Sequence, residues 1–334
     1  MIERDGTLRS LCRGVGSERI GGLESVEVMA CIQRDTFGFH DISGIDLPTD
    51  GELYRFDVNH PDTNGMIEYF VLPLSGIRNE ITFDEMIDYR KAAGMDFRKQ
   101  PPGIVEDKIS QGSLDLPYAC RRAMKLTSKP LKFTVTGPHM LAKTLVDNHY
   151  PDIQSLTMAI AETLAKQISL LDAPVVQIDE ANLPGHPHEW QWASDAINLM
   201  LDQVKGKSAV HLCFGNYGGQ TIQKGSWENL IAYLNSLHVD HIVMETRNRP
   251  PEELEVFKEL RPEIGFGLGV IDIKSNVVET ADDVARQIER AQTLLGPGRV
   301  KYVHPDCGFW MLKRPIADAK IRAIVEGRNL FEEI

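Results

Sequence analysis

The chain has 334 residues, of which 42% are hydrophobic and 25% are charged, and its formal net charge at pH 7 is −12. This composition predicts a globular protein with a large core, and the acidic charge argues against a nucleic-acid surface, which needs clustered Lys and Arg. No apolar run approaches the roughly 20 residues that span a bilayer, so we expect neither a nucleic acid nor a membrane as a partner.

The N-terminal stretch, residues 1–6, lacks the basic and apolar regions of a signal peptide, which predicts a cytoplasmic location. The five cysteines are odd in number and widely spaced, a pattern that suits free thiols and metal ligands better than a disulfide framework. The length allows two domains, but α/β barrels of this length commonly form one.

The N-terminal third is the least regular part of the sequence. Its pattern predicts a strand over residues 9–17 that ends in a Gly-Ser turn, and a helix over about residues 24–34. Asp50-Gly51-Glu52 is a turn signal that carries two acids. Residues from about 60 to 125 mix Pro, Gly and charge with short apolar pieces, and we interpret them as an insertion of strands and a helix because no flexible linker brackets them.

From residue 130 onward, apolar runs typical of buried strands alternate with helical patterns. Strands are predicted over residues 131–138, 174–180, 209–217, 240–245, 265–272 and 299–308. Helices are predicted over about residues 153–171, 189–204, 221–237, 252–260, 281–295 and 317–330. This alternation predicts a parallel sheet covered by helices.

Polar residues of chemical interest stand where these strands end. They are Thr136, Asp179 with Glu180, His211 with Cys213, Glu245, Asp272 and Cys307. A (β/α)8 barrel keeps its active site at this end of its strands, whereas an open doubly wound sheet uses only the strands beside its switch point. The spread over six strands therefore favours a (β/α)8 TIM barrel with an insertion in the N-terminal third, built as one domain over residues 1–334.

His211 and Cys213 form half of a predicted metal site. Residues two apart in a strand point to the same face, so the imidazole and the thiol can converge on one ion. Singly, each is as well explained as a core histidine or a buried apolar cysteine. Together with Glu245 and Cys307 they make an N/S/O ligand set that zinc accepts, with thiolates favouring zinc over magnesium or calcium.

The motifs around these residues resemble those of the cobalamin-independent methionine synthase family, in its C-terminal catalytic barrel. The matching stretches are His211-x-Cys213, Met244-Glu245-Thr246-Arg247, His304-Pro305-Asp306-Cys307-Gly308, Gln177-Ile178-Asp179-Glu180, Thr136-Gly137-Pro138, Asp50-Gly51-Glu52 and, more loosely, Val15-Gly16-Ser17. The resemblance covers nearly the whole chain. It implies a Zn²⁺ ion that binds a thiol substrate as a thiolate, which then attacks an alkyl donor.

The resemblance also implies roles for individual residues. Glu245 is the hard oxygen donor among soft ligands, so it is the ligand expected to leave the zinc when the substrate thiol binds. Asp179 and Glu52 would hold the amino group of homocysteine, and the backbone around Gly16 and Ser17 would hold its carboxylate. As simpler alternatives, Asp179 and Glu180 could cap the following segment, and Asp50-Gly51-Glu52 could be an ordinary turn.

Asp272, Lys274 and Glu180 are the predicted catalytic residues, because acidic and basic groups around the metal are typical of an open catalytic site. Lys274 stands where the long folate-using enzymes of the family carry a histidine that serves as proton donor. A solvated surface lysine is the alternative interpretation. Asp272 and Lys274 share one strand face, so they can form an ion pair.

The donor side departs from the long enzymes. Gly185 replaces a glutamate that holds the pterin, Thr144 replaces a tryptophan, and Phe97-Arg98 replaces an Arg-Cys pair before Pro101-Pro102. These departures predict that the folate site is missing.

The sequence therefore predicts methyl transfer to homocysteine with a donor other than a polyglutamylated folate, such as a methylated corrinoid protein as partner. The alternative within enzymes is alkylation of a thiol such as coenzyme M by an epoxide or another electrophile. The alternative of another class is a non-catalytic barrel with a structural zinc and a partner-binding role.

Overall fold

The computed structural model describes residues 44–57, 63–91, 98–216, 220–309 and 312–333. The strand and helix predicted in the first forty residues, together with Gly16, Ser17 and Phe97, lie outside this range. The strands described are β1 (Ser75–Arg78), β2 (Ile104–Ser110), β3 (Lys132–Thr136), β4 (Val146–Asp147), β5 (Val175–Asp179), β6 (Lys207–Leu212), β7 (His241–Met244), β8 (Gly265–Ile271) and β9 (Val300–Pro305).

The main sheet has six parallel strands in the order β3-β5-β6-β7-β8-β9. An isolated parallel bridge between Thr49 and Lys132 adds a further segment at the other edge of β3. Strands β3 and β5 are buried at every position, as expected for a parallel sheet whose two faces are both covered. The predicted α/β class with its parallel sheet is confirmed.

The register of this sheet aligns the C-terminal ends of the strands. Thr136 pairs with Asp179, Asp179 pairs with His211, and His211 pairs with Val243. Because parallel strands end at the same edge, the polar residues that follow them are brought to one side of the sheet. Every candidate site described below lies at this edge.

Most of the described helices contribute buried apolar side chains to the core. The helices span Glu68–Val71, Phe83–Lys91, Leu116–Met124, Pro138–Thr144, Ile153–Ile168, Trp190–Leu201, Ile231–Ser236, Ala281–Leu295 and Arg314–Glu332. Ala281–Leu295 begins at a capping box in which Thr280 and Asp283 satisfy each other's backbone N–H groups, so its sequence fixes its start. Among the described residues, no helix combines the length and the apolar character needed to cross a bilayer.

Two predicted helices are shorter or tighter than expected. The segment predicted over residues 221–237 is helical only from Trp227, as a 3-10 turn (Trp227–Leu230) followed by Ile231–Ser236. The segment near 252–260 is a 3-10 helix, Pro251–Glu259, that begins at a Pro-Pro step. Gly225 lies in the part that is not helical, and a Cβ there would lie 2.7 Å from the backbone oxygen of Pro184, so the close approach of the two segments requires glycine.

The predicted insertion forms a second, smaller sheet. Strand β1 pairs antiparallel with β2, and β2 pairs parallel with the two-residue strand β4. Helices Phe83–Lys91 and Leu116–Met124 flank these strands in the sequence, in agreement with the predicted mixture of strands and helix. Most of the apolar core of the described residues forms one cluster, which extends from Ile67 in this region to Ala323 in the last helix, and Val175, Ala209 and Val243 form a small second cluster.

Candidate metal centre and active site

His211, Cys213 and Cys307 converge at the C-terminal edge of the sheet. One ligand atom from each lies within 4.8 Å of the other two, and the two Sγ atoms are 3.9 Å apart. His211 is on β6, Cys213 directly follows it, and Cys307 follows β9. The pairing predicted from their spacing and strand positions thus has the required geometry.

The His211 side chain is oriented by the neighbouring strand. Its Nδ1 lies 2.9 Å from the backbone oxygen of Val243, which selects the tautomer with the proton on Nδ1. Its Nε2 is buried and has no hydrogen-bond partner among the described residues. A buried, unpaired ring nitrogen beside two thiols fits a metal ligand, because such a nitrogen is costly to bury without a partner.

The imidazole and the two thiols also shift one another's pKa values. The hydrogen bond from Cys213 and the adjacent His211 hold the pKa of the Cys307 thiol well below its usual range, against the effect of burial. Conversely, the hydrogen bond to Cys307 and burial raise the pKa of Cys213 well above its usual value. Burial lowers the pKa of His211, but the neighbouring Cys307 sulfur and Asp179 carboxylate outweigh this effect and raise the pKa to about 9.

Glu245, the fourth predicted ligand, lies beside this cluster but is not a member of it. It follows β7 and is almost fully buried. Its Oε1 accepts a hydrogen bond from Lys274 Nζ at 2.6 Å, and its Oε2 accepts one from the backbone N–H of Phe214, the residue after Cys213, at 2.8 Å. Its backbone oxygen accepts the indole N–H of Trp227 at 3.0 Å.

Asp306 joins the two loops that carry Glu245 and Cys307. Its carboxylate accepts the backbone N–H groups of Thr246 at 3.0 Å, Arg247 at 2.9 Å and Asn248 at 2.7 Å. In the sequence Asp306 is recognisable only as part of a motif, whereas in the structure its carboxylate holds the loop after β7 against the loop after β9. Gly269 is required beside it, because a Cβ there would lie 2.1 Å from the Asp306 Oδ1.

Asp179 and Glu52 form an acidic pair next to the cluster. Glu52 adopts a left-handed backbone conformation with φ 55°, and its N–H donates to the Asp50 carboxylate at 3.0 Å. Its own carboxylate accepts the Thr134 hydroxyl on β3. Burial raises the pKa of Asp179 to about 7, His211 opposes this rise, and the Glu52 carboxylate adds to it. The turn predicted at Asp50-Gly51-Glu52 therefore serves to place Glu52.

A buried chain of polar groups inside the sheet supports Asp179. Lys132 Nζ donates to Gln177 Oε1 at 2.9 Å, and Gln177 Nε2 donates to Asp179 Oδ1 at 2.7 Å. Burial lowers the pKa of Lys132 to about 8. This role of Lys132 was not predicted. A lysine within a predicted buried strand could have indicated it, because charged residues are almost never fully buried without a partner.

Glu180, the neighbour of Asp179, points away from the cluster into a second group of polar residues. Its carboxylate accepts the Met140 N–H at 3.1 Å and lies 3.5 Å from His139 Nδ1. His139 Nε2 in turn lies 2.6 Å from Glu189, which also binds Lys143 at 3.0 Å. The capping role weighed for Glu180 concerned the segment that follows it, where its Oε1 accepts the Asn182 N–H at 3.3 Å. The bond to Met140 instead lies near the start of the helix Pro138–Thr144, which precedes Glu180 in the chain. Gly137 is needed at this close approach, since a Cβ there would lie 2.5 Å from Glu180 Oε2.

Asp272 and Lys274 follow β8, but they do not form the ion pair that a shared strand face allows. Asp272 Oδ1 accepts the backbone N–H of Lys274 at 2.8 Å, whereas the Lys274 ammonium pairs with Glu245. The Lys274 side chain is only 10% exposed, so the interpretation as a solvated surface lysine is wrong. The turn at Asp272 redirects the chain after the strand ends, and alternation no longer describes where the side chains point.

The donor-side positions are filled by the chain itself. A Cβ on Gly185 would lie 1.8 Å from Gln223 Oε1, so the Gln223 side chain packs directly against this glycine. Thr144 is buried and its hydroxyl donates to the Leu141 backbone oxygen at 2.7 Å. Arg98 is buried in an ion pair with Glu68. Each of the three described positions thus makes internal contacts.

Comparisons with known proteins agree with this site. The sequence model of the family described as "Cobalamin-independent synthase, Catalytic domain" matches residues 17–329. A methionine synthase of Pyrococcus furiosus is 30% identical over 303 residues, which are 88% of this chain and 80% of that relative. A methionine synthase of Sulfurisphaera tokodaii is 27% identical over 297 residues, covering 88% of this chain and 79% of the relative.

A solved structure has the same fold. It is a B12-independent methionine synthase from a Shewanella species in complex with selenomethionine, with a TM-score of 0.75 and 20% sequence identity over 93% of this chain and 90% of that chain. The family model covers nearly the whole sequence, and the relatives are similar over most of their own length. The chain therefore belongs to the cobalamin-independent methionine synthase family, as a form of its catalytic domain.

Proposed function

We propose that the protein is a zinc-dependent methyltransferase that methylates the sulfur of homocysteine to give methionine, with a methyl donor other than a polyglutamylated folate. The observation that carries this proposal is the convergence of His211, Cys213 and Cys307 beside the acidic pair Glu52 and Asp179. The relatives named methionine synthase support the same reaction.

The donor set supports zinc as the metal. One imidazole nitrogen and two thiol sulfurs are typical zinc ligands, and the soft sulfurs disfavour magnesium and calcium. Bound zinc would hold a substrate thiol as a thiolate near neutral pH, where a free thiol with a pKa of about 8.5 is mostly protonated. His211, Cys213 and Cys307 would be the constant ligands, and Glu245 would be an exchangeable one.

Asp179 and Glu52 would orient the substrate. Two carboxylates near the thiol-binding position can accept hydrogen bonds from an ammonium group, and Gln177 fixes the direction of Asp179. Coenzyme M has a sulfonate and no amine, so these acids favour homocysteine over it. The sulfur gains the methyl group, the thiol proton is released, and the donor keeps the electron pair of the broken bond. Recognition of the carboxylate by Gly16 and Ser17 remains part of the proposal.

Glu180 and Asp272 are better suited to positioning than to contact with the substrate. Glu180 bonds to Met140 and His139, and Asp272 bonds to the backbone of its own loop. These bonds support a role in fixing the loops after β5 and β8. Acidic and basic side chains surround the proposed metal position. This favours a catalytic zinc, which keeps one coordination position open, over a structural zinc, which usually has four protein ligands.

The filled positions around Gly185 and Thr144 support a donor other than folate. A methylated corrinoid, supplied by a partner protein, is the donor we propose. We also propose that the reaction needs only this one domain and takes place in the cytoplasm, as the sequence predicts.

The test is a product assay with the zinc-loaded protein, homocysteine and either a methylcorrinoid or methyltetrahydrofolate. We expect methionine from the methylcorrinoid alone, and no binding of methyltetrahydrofolate by calorimetry. Micromolar binding of the folate would contradict the donor assignment.

Zinc-edge X-ray absorption tests which thiol is the substrate. The number of sulfur ligands on the zinc should rise from two to three when homocysteine is added. The same change with coenzyme M alone would instead support the epoxide-opening alternative, and no change with either thiol would overturn the proposal.

A further inference from the structure

The Glu245 carboxylate is fully engaged away from the His211, Cys213 and Cys307 cluster. Lys274 Nζ binds Oε1 at 2.6 Å, the Phe214 N–H binds Oε2 at 2.8 Å, and the Asn248 amide lies 3.5 Å from Oε1. The Phe214 bond keeps the carboxylate within one residue of Cys213. Glu245 therefore lies next to the metal position while its oxygens are held by other groups.

Lys274 is held in place by its own loop. Its N–H binds Asp272, whose N–H binds Glu279 at 2.9 Å, and Glu279 forms a buried ion pair with Lys320 at 2.8 Å. Lys320 also donates to the Asp272 backbone oxygen at 2.9 Å. These bonds tie the loop after β8 to the last helix, Arg314–Glu332, so the ammonium is presented to Glu245 from a fixed backbone.

Exchange of a metal ligand in this site creates a charge problem. When a thiol takes the position of Glu245, the released carboxylate stays in a buried site, where an unpaired charge is strongly unfavourable. A charge-assisted hydrogen bond from an ammonium removes most of that penalty. Lys274 is the cationic side chain that is bonded to Glu245 in the described part of the chain.

We propose that Lys274 captures the Glu245 carboxylate when the substrate thiol displaces it, and so sets the affinity of the site for thiols. The inference rests on the proposed zinc site and deepens it. With zinc held by His211, Cys213 and Cys307, a substrate thiol would bind as a thiolate in place of the Glu245 carboxylate, and its proton would pass to solvent. Lys274 acts through its bond to Glu245, so it is a positioning residue and not the proton donor that its place in the family motif suggests.

The variants Lys274→Met and Lys274→Arg separate these two roles. Methionine removes the ammonium and keeps the length of the side chain, whereas arginine keeps the charge but is too weak an acid to donate a proton. Lys205→Met is the matched control, because it removes an exposed lysine that pairs with Asp172 at 3.0 Å on the surface. Zinc content and thermal unfolding of each purified variant show whether the site and the fold are intact.

The measurements are homocysteine affinity by calorimetry and zinc coordination by X-ray absorption, both without methyl donor. We expect Lys274→Met to bind zinc but to lose homocysteine affinity by about thirtyfold or more, the usual effect of truncating one partner of a buried charged pair. Its zinc should retain an oxygen ligand where the wild type gains a sulfur. Lys274→Arg should recover most of the affinity, and Lys205→Met should match the wild type.

Wild-type affinity and coordination in Lys274→Met, with only methyl transfer lost, would overturn the capture role and support the proton donor. If the wild-type protein itself gains no sulfur ligand with any thiol, the proposed function fails instead. The two failures are therefore distinguishable in the same set of samples.

Discussion

The Sγ atoms of Cys213 and Cys307 lie 3.9 Å apart although the residues are separated by 94 positions in the sequence. Cys213 follows β6 and Cys307 follows β9, and β7 and β8 lie between these two strands in the sheet. Free thiols this close in a buried site repel each other once ionised, so the pair favours a bound cation. The thiol pair is therefore the part of the site that most directly tests the metal assignment.

Cys307→Ser should remove zinc from the protein. Loss of a direct ligand should lower zinc affinity by more than the roughly 10–100-fold that loss of a supporting residue causes. Competition with a chelator of known affinity measures the change. Cys120→Ala is the control, because Cys120 is buried in the hydrophobic core and contributes no metal ligand. Full zinc content in Cys307→Ser at low free zinc would contradict the site.

Asp179→Asn should weaken homocysteine binding by about tenfold to a hundredfold, the range for a lost hydrogen bond to a charged group. The substitution keeps the shape of the side chain and its contact with Gln177, so zinc binding should be unchanged. A thiol that lacks the amino group, such as 3-mercaptopropionate, should bind both proteins equally. Equal losses for both thiols would show that Asp179 supports the metal and not the ammonium.

The raised pKa of Asp179 predicts that substrate affinity depends on pH. Burial and Glu52 raise the pKa of Asp179 to about 7, so its carboxylate is protonated below that pH and accepts an ammonium group poorly. Homocysteine affinity should therefore rise between pH 6 and pH 8 by more than the affinity for 3-mercaptopropionate, whose thiol ionises in the same way. Calorimetry on both thiols gives the difference, and Asp179→Asn should abolish it.

The sequence predicts the parts of this protein that depend on local periodicity. Helix Ala281–Leu295 was predicted at its observed bounds, and in the structure a capping box at Thr280 marks its start. The six strands predicted after residue 130 match the observed strands to within five residues at each end, and the His211 and Cys213 pairing follows from their spacing. These features require only the neighbours along the chain.

Contacts between segments that are distant in the sequence could not be predicted from local patterns. Alternation along β8 allowed Lys274 to pair with Asp272, but the turn after the strand and the carboxylate of Glu245 decide the actual pair. No local pattern indicates that Gln223 packs against Gly185, or that His139 lies between Glu180 and Glu189. Such contacts depend on how loops from different strands meet at the edge of the sheet.

His139 predicts a pH-dependent contribution to stability. Burial alone would lower the pKa of this imidazole, but the hydrogen bonds to Glu180 and Glu189 outweigh it and raise the pKa. A histidine with a raised pKa in the folded state stabilises the protein fully below its unfolded pKa of about 6.5, and this stabilisation is lost as the pH rises through the folded pKa. NMR titration of His139 gives the upper end of that range.

Glu189→Gln should reduce this contribution by about 1–3 kcal/mol at pH 6, because it removes the charge from one of the two partners. The loss should be smaller above the folded pKa of His139, where the imidazole is neutral in both proteins. Urea unfolding at the two pH values measures it, with the exposed Glu255→Gln as control. An equal loss at both pH values would mean that the bond of Glu189 to Lys143 accounts for the effect.

Lys320→Met should lower the free energy of unfolding by about 3–5 kcal/mol, the usual range when one partner of a buried ion pair is removed. The Lys320 side chain is fully buried and binds Glu279 together with the backbone oxygens of Asp272 and Val277. Urea unfolding should show the loss, and the additional change Glu279→Gln should restore part of it because no buried charge then remains unpaired. The exposed Lys258→Met serves as control.

The bonds of Lys320 also fix the loop that carries Lys274, so the double variant Lys320→Met, Glu279→Gln should bind homocysteine more weakly than the wild type. Calorimetry measures this affinity. Unchanged binding would show that Lys274 holds Glu245 without support from the last helix.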